Sequence, residues 1–203
     1  MTEPKPLLSD PKAMRALAHP ARLEMLNRLQ IEGPATATEI AEVAGVTPSA
    51  ASYHLRMLAK YGFVEDAPPR GDGRERVWRW IDRGLRVNAA APEDPPELRA
   101  AKELLIDAVY DDAHKELRRA MAQVERESAE WRDASTWQRI YLRLTAEEMR
   151  EIGRQMVSLL EPYRAAKREE APEGARSAVG LFTLYLHPER RVPGLPTEDH
   201  DAV

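Results

Sequence analysis

Through the first eighty residues, apolar positions recur at helical spacing in short blocks separated by strong breakers. Asp10-Pro11 reads as an N-cap followed by proline at the first helical position, opening one or two turns over 11–17. The pattern restarts after His19-Pro20, with Leu23, Leu26 and Leu29 on one face, and Gly33-Pro34 breaks it. Thr36-Ala-Thr-Glu39 has the spacing of a capping box and opens a helix over 37–44, with Ile40 and Ala41 inward. Gly45 supplies a tight turn. Thr47-Pro48 then starts a second helix that runs to about Lys60 and stops at Gly62. Phe63–Asp66 and Glu75–Ile81 are short enough for strands, joined by a turn-rich tip at Pro68–Arg74.

The proline-rich stretch Ala89–Pro96 separates this block from a different pattern. Leu98, Ala101, Leu105, Val109, Ala113, Leu117, Met121, Val124 and Trp131 form one stripe, interrupted only by Ser128. They predict one helix from about Glu97 to about Arg132, roughly 54 Å long at ~1.5 Å per residue. One small domain cannot cover so long a stripe, which predicts burial against a twofold mate. Trp137–Leu144 alternates as a half-buried strand does. Thr145…Glu148 is a second capping box, opening a helix to about Arg168 with Met149, Ile152, Met156, Leu159 and Tyr163 inward; Pro162 should kink or shorten it. Val179–His187 reads as the last strand. The two strands stand in βαβ order, which fits parallel pairing within a chain and a sheet across a dimer alike.

The fold class is therefore α+β and predominantly helical. We expect a domain at 1–88, a dimerisation or effector domain at 97–188, and a flexible tail at 189–203.

Composition narrows the function. Among 203 residues there is no cysteine, which excludes disulfides, thiolate metal sites and cysteine nucleophiles. No apolar run approaches the ~20 residues of a membrane helix, and Met1–Asp10 lacks the apolar core of a secretion signal; a soluble cytoplasmic protein without membrane partners is expected. The net charge of −4 hides a split. Residues 1–84 carry 12 basic and 11 acidic side chains, residues 85–203 carry 18 and 23. Only local charge matters to a phosphate, because screening removes fields beyond about 8–10 Å. Arginine supplies 24 of the 30 cations, the type suited to fork-like phosphate and guanine contacts.

On a helical wheel the helix 48–60 divides cleanly. Ala51, Leu55 and Leu58 share one sector and must face the core. Ser49, Tyr53, Arg56 and Lys60 lie opposite, with Ser52 flanking them and no acidic residue among them. Small hydroxyls near a helix N-terminus allow close approach to base edges in a major groove, and cations further along meet phosphates. The hairpin tip and return strand add Arg70, Arg74 and Arg76, as a basic wing would. The expected DNA-binding set is Thr47, Ser49, Ala50, Ser52, Tyr53, Arg56, Lys60, Arg70, Arg74 and Arg76. His54 borders the core sector and should pack or cap locally.

These segments resemble the ArsR-like winged helix-turn-helix repressors: Ala16-Leu-Ala-His-Pro-Ala-Arg22-Leu-Glu-Met-Leu26, Glu39-Ile-Ala, Val46-Thr-Pro-Ser-Ala-Ala-Ser52-Tyr-His54-Leu-Arg56-Met-Leu58 and Gly62-Phe-Val64. The likeness covers about residues 10–82. It implies a homodimer that binds a twofold-symmetric operator in double-stranded DNA and represses transcription until a signal releases it. The family's metal sensors use cysteine thiolates, or His and carboxylate sites on terminal dimer helices. This chain has no cysteine, and the eleven-residue step from His114 in Asp112-Ala-His114 reaches Glu125 rather than a second histidine. Neither a metal nor another cofactor is expected. The segment from Trp137 lies outside the minimal family architecture and would serve dimer burial or a small-molecule effector.

Winged helices also serve as protein-interaction modules without DNA, which is the alternative reading. An enzyme is not expected. His19, His54, His114, His187 and His200 have no spacing partners that suggest a triad or a zinc site, and no glycine-rich phosphate loop is present. Glu147-Glu148 sit at a helix start, where they complement the dipole.

Overall fold

The computed structural model describes residues 8–70, 75–81, 87–164 and 171–186. The protein is mostly helical with a small three-stranded sheet, arranged as a winged helix-turn-helix. The chain divides into two units, Met1–Arg139 with Tyr163–Ser177, and Ile140–Pro162 with Ala178–Val203.

In the first unit the breakers act as the sequence indicates. Helix α1 (Pro11–Leu17) is capped by Asp10, whose carboxylate accepts from the Lys12 amide at 2.8 Å. Helix α2 (Pro20–Glu32) follows at once. Thr36 closes the capping box of α3 (Ala37–Ala44): the Glu39 amide donates to Thr36 Oγ1 at 3.3 Å, and the Thr36 amide donates to Glu39 Oε2 at 2.6 Å. Gly45, at φ 63°, ends α3 in the left-handed region that a side chain disfavours. Helix α4 (Pro48–Lys60) begins on Thr47.

The sheet has one strand more than the sequence pattern indicates. β1 (Ala35–Thr36) pairs antiparallel with β3 (Val77–Trp80), which pairs antiparallel with β2 (Val64–Ala67), in the order β1-β3-β2. Two residues carry no readable alternation, so β1 exists only through its partner. Met14, Leu17, Met25, Leu26, Leu29, Ile40, Leu55, Leu58, Val64 and Trp78 fill one core between helices and sheet.

Helix α5 (Pro96–Gln123) departs from expectation in two ways. Its first half packs on this same core: Ala101 and Leu105 are buried, and α1 and α2 are its neighbours. Arg15 pairs with Glu97 at 2.7 Å, and Asn27 donates to Asp112 at 2.7 Å. The stripe is thus covered within the chain at its start, and only further along does it open, with Met121 exposed. Second, the helix does not reach Arg132. A 3₁₀ turn, Val124–Arg126, gives way to extended Glu127, and Ser128 caps a separate α6 (Ala129–Ala134). The polar interruption in the stripe marks the break, because a serine side chain competes for backbone amides best at an N-cap. The linker before α5 closes a turn, with the Asp94 amide donating to the Ala91 carbonyl at 3.1 Å. Asp94 accepts from the Ala91 amide at 2.8 Å and from Lys102 Nζ at 2.6 Å, and the lysine holds its carboxyl below the usual carboxylate range.

In the second unit, Thr145 and Glu148 form the expected box and α7 (Ala146–Leu160) follows. Pro162 lies in a 3₁₀ turn, Glu161–Tyr163, that ends the helix early. The strands expected at Trp137–Leu144 and Val179–His187 are not formed: 137–144 and 178–186 run without strand pairing, and His187 lies outside the described residues. Alternation makes a segment able to form a strand, whereas a ladder needs a partner edge. No described residue of 140–162 or 178–186 is buried.

Candidate nucleic-acid interface

The site is built on α4. Thr47 is exposed, and its Oγ1 accepts from the Ala50 amide at 3.2 Å, so its side chain is engaged in starting the helix. From that start the wheel runs as the sequence indicates. Ala51, Leu55 and Leu58 are fully buried. Ser49, Tyr53, Arg56 and Lys60 are exposed, while Ala50 and Ser52 are half-buried beside them. Tyr53 keeps 53% of its surface in water. Among the described residues Arg56 has no carboxylate partner, and Lys60 lies over the Tyr61 ring at 5.5 Å.

The wing is different. Arg74 lies outside the described residues. Arg70 turns back to the start of α3, pairing with Glu39 at 3.3 Å and donating to the Pro34 carbonyl. Arg76 holds Asp66 in a two-pronged ion pair and covers the Trp78 ring, its guanidinium 3.9 Å from the ring centre. The pair lowers the Asp66 pKa and raises that of Arg76. Arg79 pairs with Glu65, its cross-strand neighbour, at 2.7 Å. The wing arginines between 70 and 79 that are described therefore already have anions. The structure brings Ser49, Ser52, Tyr53, Arg56 and Lys60 to one surface, and it engages Arg70 and Arg76 elsewhere.

A cluster of two imidazoles and a guanidinium borders Tyr53 that sequence reasoning missed. His19, the N-cap residue of α2, faces His54 of α4 with ring centres 4.8 Å apart, and Tyr53 meets the His54 ring edge-on at 5.6 Å. Arg22, on the first turn of α2, completes the group. Desolvation is the main cause that lowers both imidazole pKa values, with Arg22 acting on each ring and His19 on His54. Desolvation also lowers the pKa of Arg22, against the opposing influence of Tyr53. His54 does pack locally, as its wheel position suggests. The signal for the rest was the His-Pro-Ala-Arg run, whose partners lie more than thirty residues on.

On α5, His114 Nδ1 donates to the Tyr110 carbonyl at 2.9 Å and Asp112 is bonded to Asn27. Among the described residues no cluster of three His, Cys, Asp or Glu side chains is arranged to hold a metal. No described helix is long and apolar enough to cross a membrane.

With this geometry, a helix-turn-helix domain model matches residues 17–67, about a quarter of the chain, spanning α2 to β2. The class defined is a winged helix-turn-helix. Among curated proteins nothing matches. Solved structures with some likeness include wild-type MarR in apo form from E. coli, at 19% identity over 75% of this chain and 88% of that one, with a TM-score of 0.34. The YusO protein from Bacillus subtilis matches at 18% identity over 74% and 83%, with a TM-score of 0.33. The Mycobacterium tuberculosis MarR family protein RV2887, in complex with salicylic acid, matches at 20% over 74% and 87%, with a TM-score of 0.31. At scores this low none of the three bears on function.

Proposed function

We propose that the chain is a DNA-binding transcription regulator: an ArsR-like homodimeric repressor, acting in the cytoplasm, that meets a twofold-symmetric operator through α4. The outward face of α4 carries the reading. Ser49, Tyr53, Arg56 and Lys60 stand in water on a helix whose opposite face is sealed into the core, and the helix itself carries no acidic residue. In this reading Ser49, Ser52 and Tyr53 approach base edges, Arg56 meets a base or phosphate, and Lys60 and Arg74 meet phosphates. The division of roles is 1–88 for DNA, 97–188 for assembly or an effector, and 189–203 as a tail. That division is one of role, since α5 starts within the core of the first unit.

Selection of genomic fragments by the purified chain tests this directly. Tyr53→Ala should then narrow the ratio of operator to random affinity, a loss of ~1–3 kcal/mol on the operator alone. Arg74→Ala should weaken both affinities and make the salt slope shallower by about one per protomer. If Tyr53→Ala leaves the ratio intact, the base-reading assignment fails.

One observation favours the second reading, a protein-interaction module: the internally paired wing arginines Arg70, Arg76 and Arg79. Salt separates the two. Phosphate binding should weaken steeply between ~50 and ~200 mM salt, whereas a module that ignores DNA shows no retained fragment at either concentration.

A further inference from the structure

Every described arginine of the wing has an anion within the protein, yet Arg22 has none among the described residues. The cluster around it is also short of acceptors. Nδ1 of His19, Nδ1 of His54 and Nε of Arg22 are all buried without a hydrogen-bond partner. An unpaired buried donor or acceptor costs free energy, and these three are closed to solvent, but His19, Arg22 and His54 are each only half-buried, so the open part of each group is what a ligand would meet. Guanidinium nitrogens only donate, and an imidazole donates from both nitrogens once protonated. What completes such a set is an oxygen anion.

The position says which anion. The cluster adjoins Tyr53 on the recognition helix, and His54 is the next residue along it. DNA that contacts Tyr53 and Arg56 would run its sugar-phosphate backbone past this edge. We propose that His19, Arg22 and His54 form a proton-loaded clamp for a DNA backbone phosphate, so that binding takes up protons and tightens as pH falls. The proposal rests on the reading of α4 as the DNA-facing helix.

The electrostatics agree in sign. The groups acting on His54 are His19 and Arg22; the one acting on His19 is Arg22; Tyr53 acts on Arg22. No carboxylate is among them. Burial and cationic neighbours keep both rings largely neutral in the free protein at pH 7. A phosphate placed against the open edge of the pair reverses the balance and favours the charged rings. Because the rings repel each other once charged, the second proton is harder to add than the first, and the pair titrates as a unit.

The experiment uses the full chain and a labelled duplex of arbitrary sequence, roughly thirty base pairs, because phosphate contacts need no operator. Fluorescence anisotropy at ~50 mM salt is read from pH 8 to pH 6 at constant ionic strength. Affinity should rise as pH falls, approaching about tenfold per pH unit for each proton taken up. In the folded double variant H19Q/H54Q the rise should largely disappear. An undiminished rise in that variant overturns the clamp and leaves DNA binding standing. Failure of the wild type to bind the duplex at any pH overturns the reading of α4, and the clamp with it. Should the double variant not fold, the wild-type imidazole resonances decide. Titrated by NMR with and without duplex, those of His19 and His54 should move to higher pH on the duplex, and unmoved curves overturn the proposal.

Discussion

Helices α3 and α7 begin alike. Each opens on a Thr-x-x-Glu capping box with both hydrogen bonds in place, and each presents an apolar face. In α3 that face is sealed, with Ile40 at 0% and Ala41 at 3% exposure. In α7 nothing is buried, and Val157 and Leu159 are both 64% exposed. The unit containing α7 also leaves Ile140, Leu142, Val179, Leu181 and Phe182 open to water. A shallow concavity in it is lined by Ala146, Met149, Arg150, Gly153 and Leu184. Local signals thus specify a helix and its stripe in either place. Whether the stripe finds a core depends on what the chain itself supplies against it.

The largest effect expected of this difference is on stability. Leu55→Ala removes a fully buried side chain from the winged-helix core and should cost about 2–5 kcal/mol, read as a lower midpoint in urea. Leu159→Ala changes an exposed position and should leave that midpoint within about 0.5 kcal/mol for the monomer. A large loss from Leu159→Ala at low protein concentration would break the comparison, because it would place α7 in a core the chain already owns.

Assembly comes next. If the open faces of α7 and its neighbouring segments are covered by a second copy, light scattering at micromolar concentration gives a dimeric mass. Leu159→Glu should then shift the protein to monomer, a loss of roughly 2 kcal/mol or more at a central interface position. The core around Leu55 should keep its own unfolding transition. A wild type of monomeric mass removes the dimer and with it the inference of a twofold operator.

Legibility in the sequence followed the same line. The buried and exposed faces of α4 were readable because a helix fixes its side chains by a 100° step and its core neighbours are close in sequence. The break at Ser128 was visible as the one polar position in the stripe, but a serine inside a helix and a serine at its cap look alike until the next turn is built. The engagement of Arg76 with Asp66 and Trp78 was not readable, since it depends on strand register: Asp66 stands opposite Trp78, two residues from Arg76. Basic residues on a hairpin therefore suggested phosphate contacts where two of them are held by the protein. The His19–His54 contact was hidden for a related reason, as only the packing of α2 against α4 creates it. The patterns at 137–144 and 179–187 predict strands that the described residues do not form, because a pattern alone does not make a sheet.

Arg76 offers a smaller test within the first region. Its pair with Asp66 is exposed, so the ion pair itself is worth about 0.2–1 kcal/mol, to which the cover over Trp78 adds. Arg76→Gln should lower the urea midpoint modestly and leave the salt slope of DNA binding close to that of the wild type. If the slope instead falls by about one per protomer, Arg76 leaves Asp66 for a phosphate on binding.

The two capping boxes give the finest comparison, because the same substitution can be made in each. The backbone hydrogen bond from the Thr36 amide is the main cause that holds the Glu39 carboxyl below the usual carboxylate range, and that from the Thr145 amide does the same for Glu148. A depressed pKa in the folded state means that the stabilisation is present above the ordinary carboxylate pKa, ~4.3. It is lost as pH falls through the lower folded value. Thr36→Ala and Thr145→Ala each remove a cap worth about 1 kcal/mol to its helix. In α3, whose face is locked into the core, the loss should lower the global unfolding midpoint and move acid unfolding of the winged helix to higher pH. In α7, with no buried residue, it should fray one helix, read as a small drop in far-UV circular dichroism with the global midpoint unchanged. Equal shifts of the global midpoint in the two variants would show that both helices belong to one cooperative unit, and the contrast between the regions would be lost.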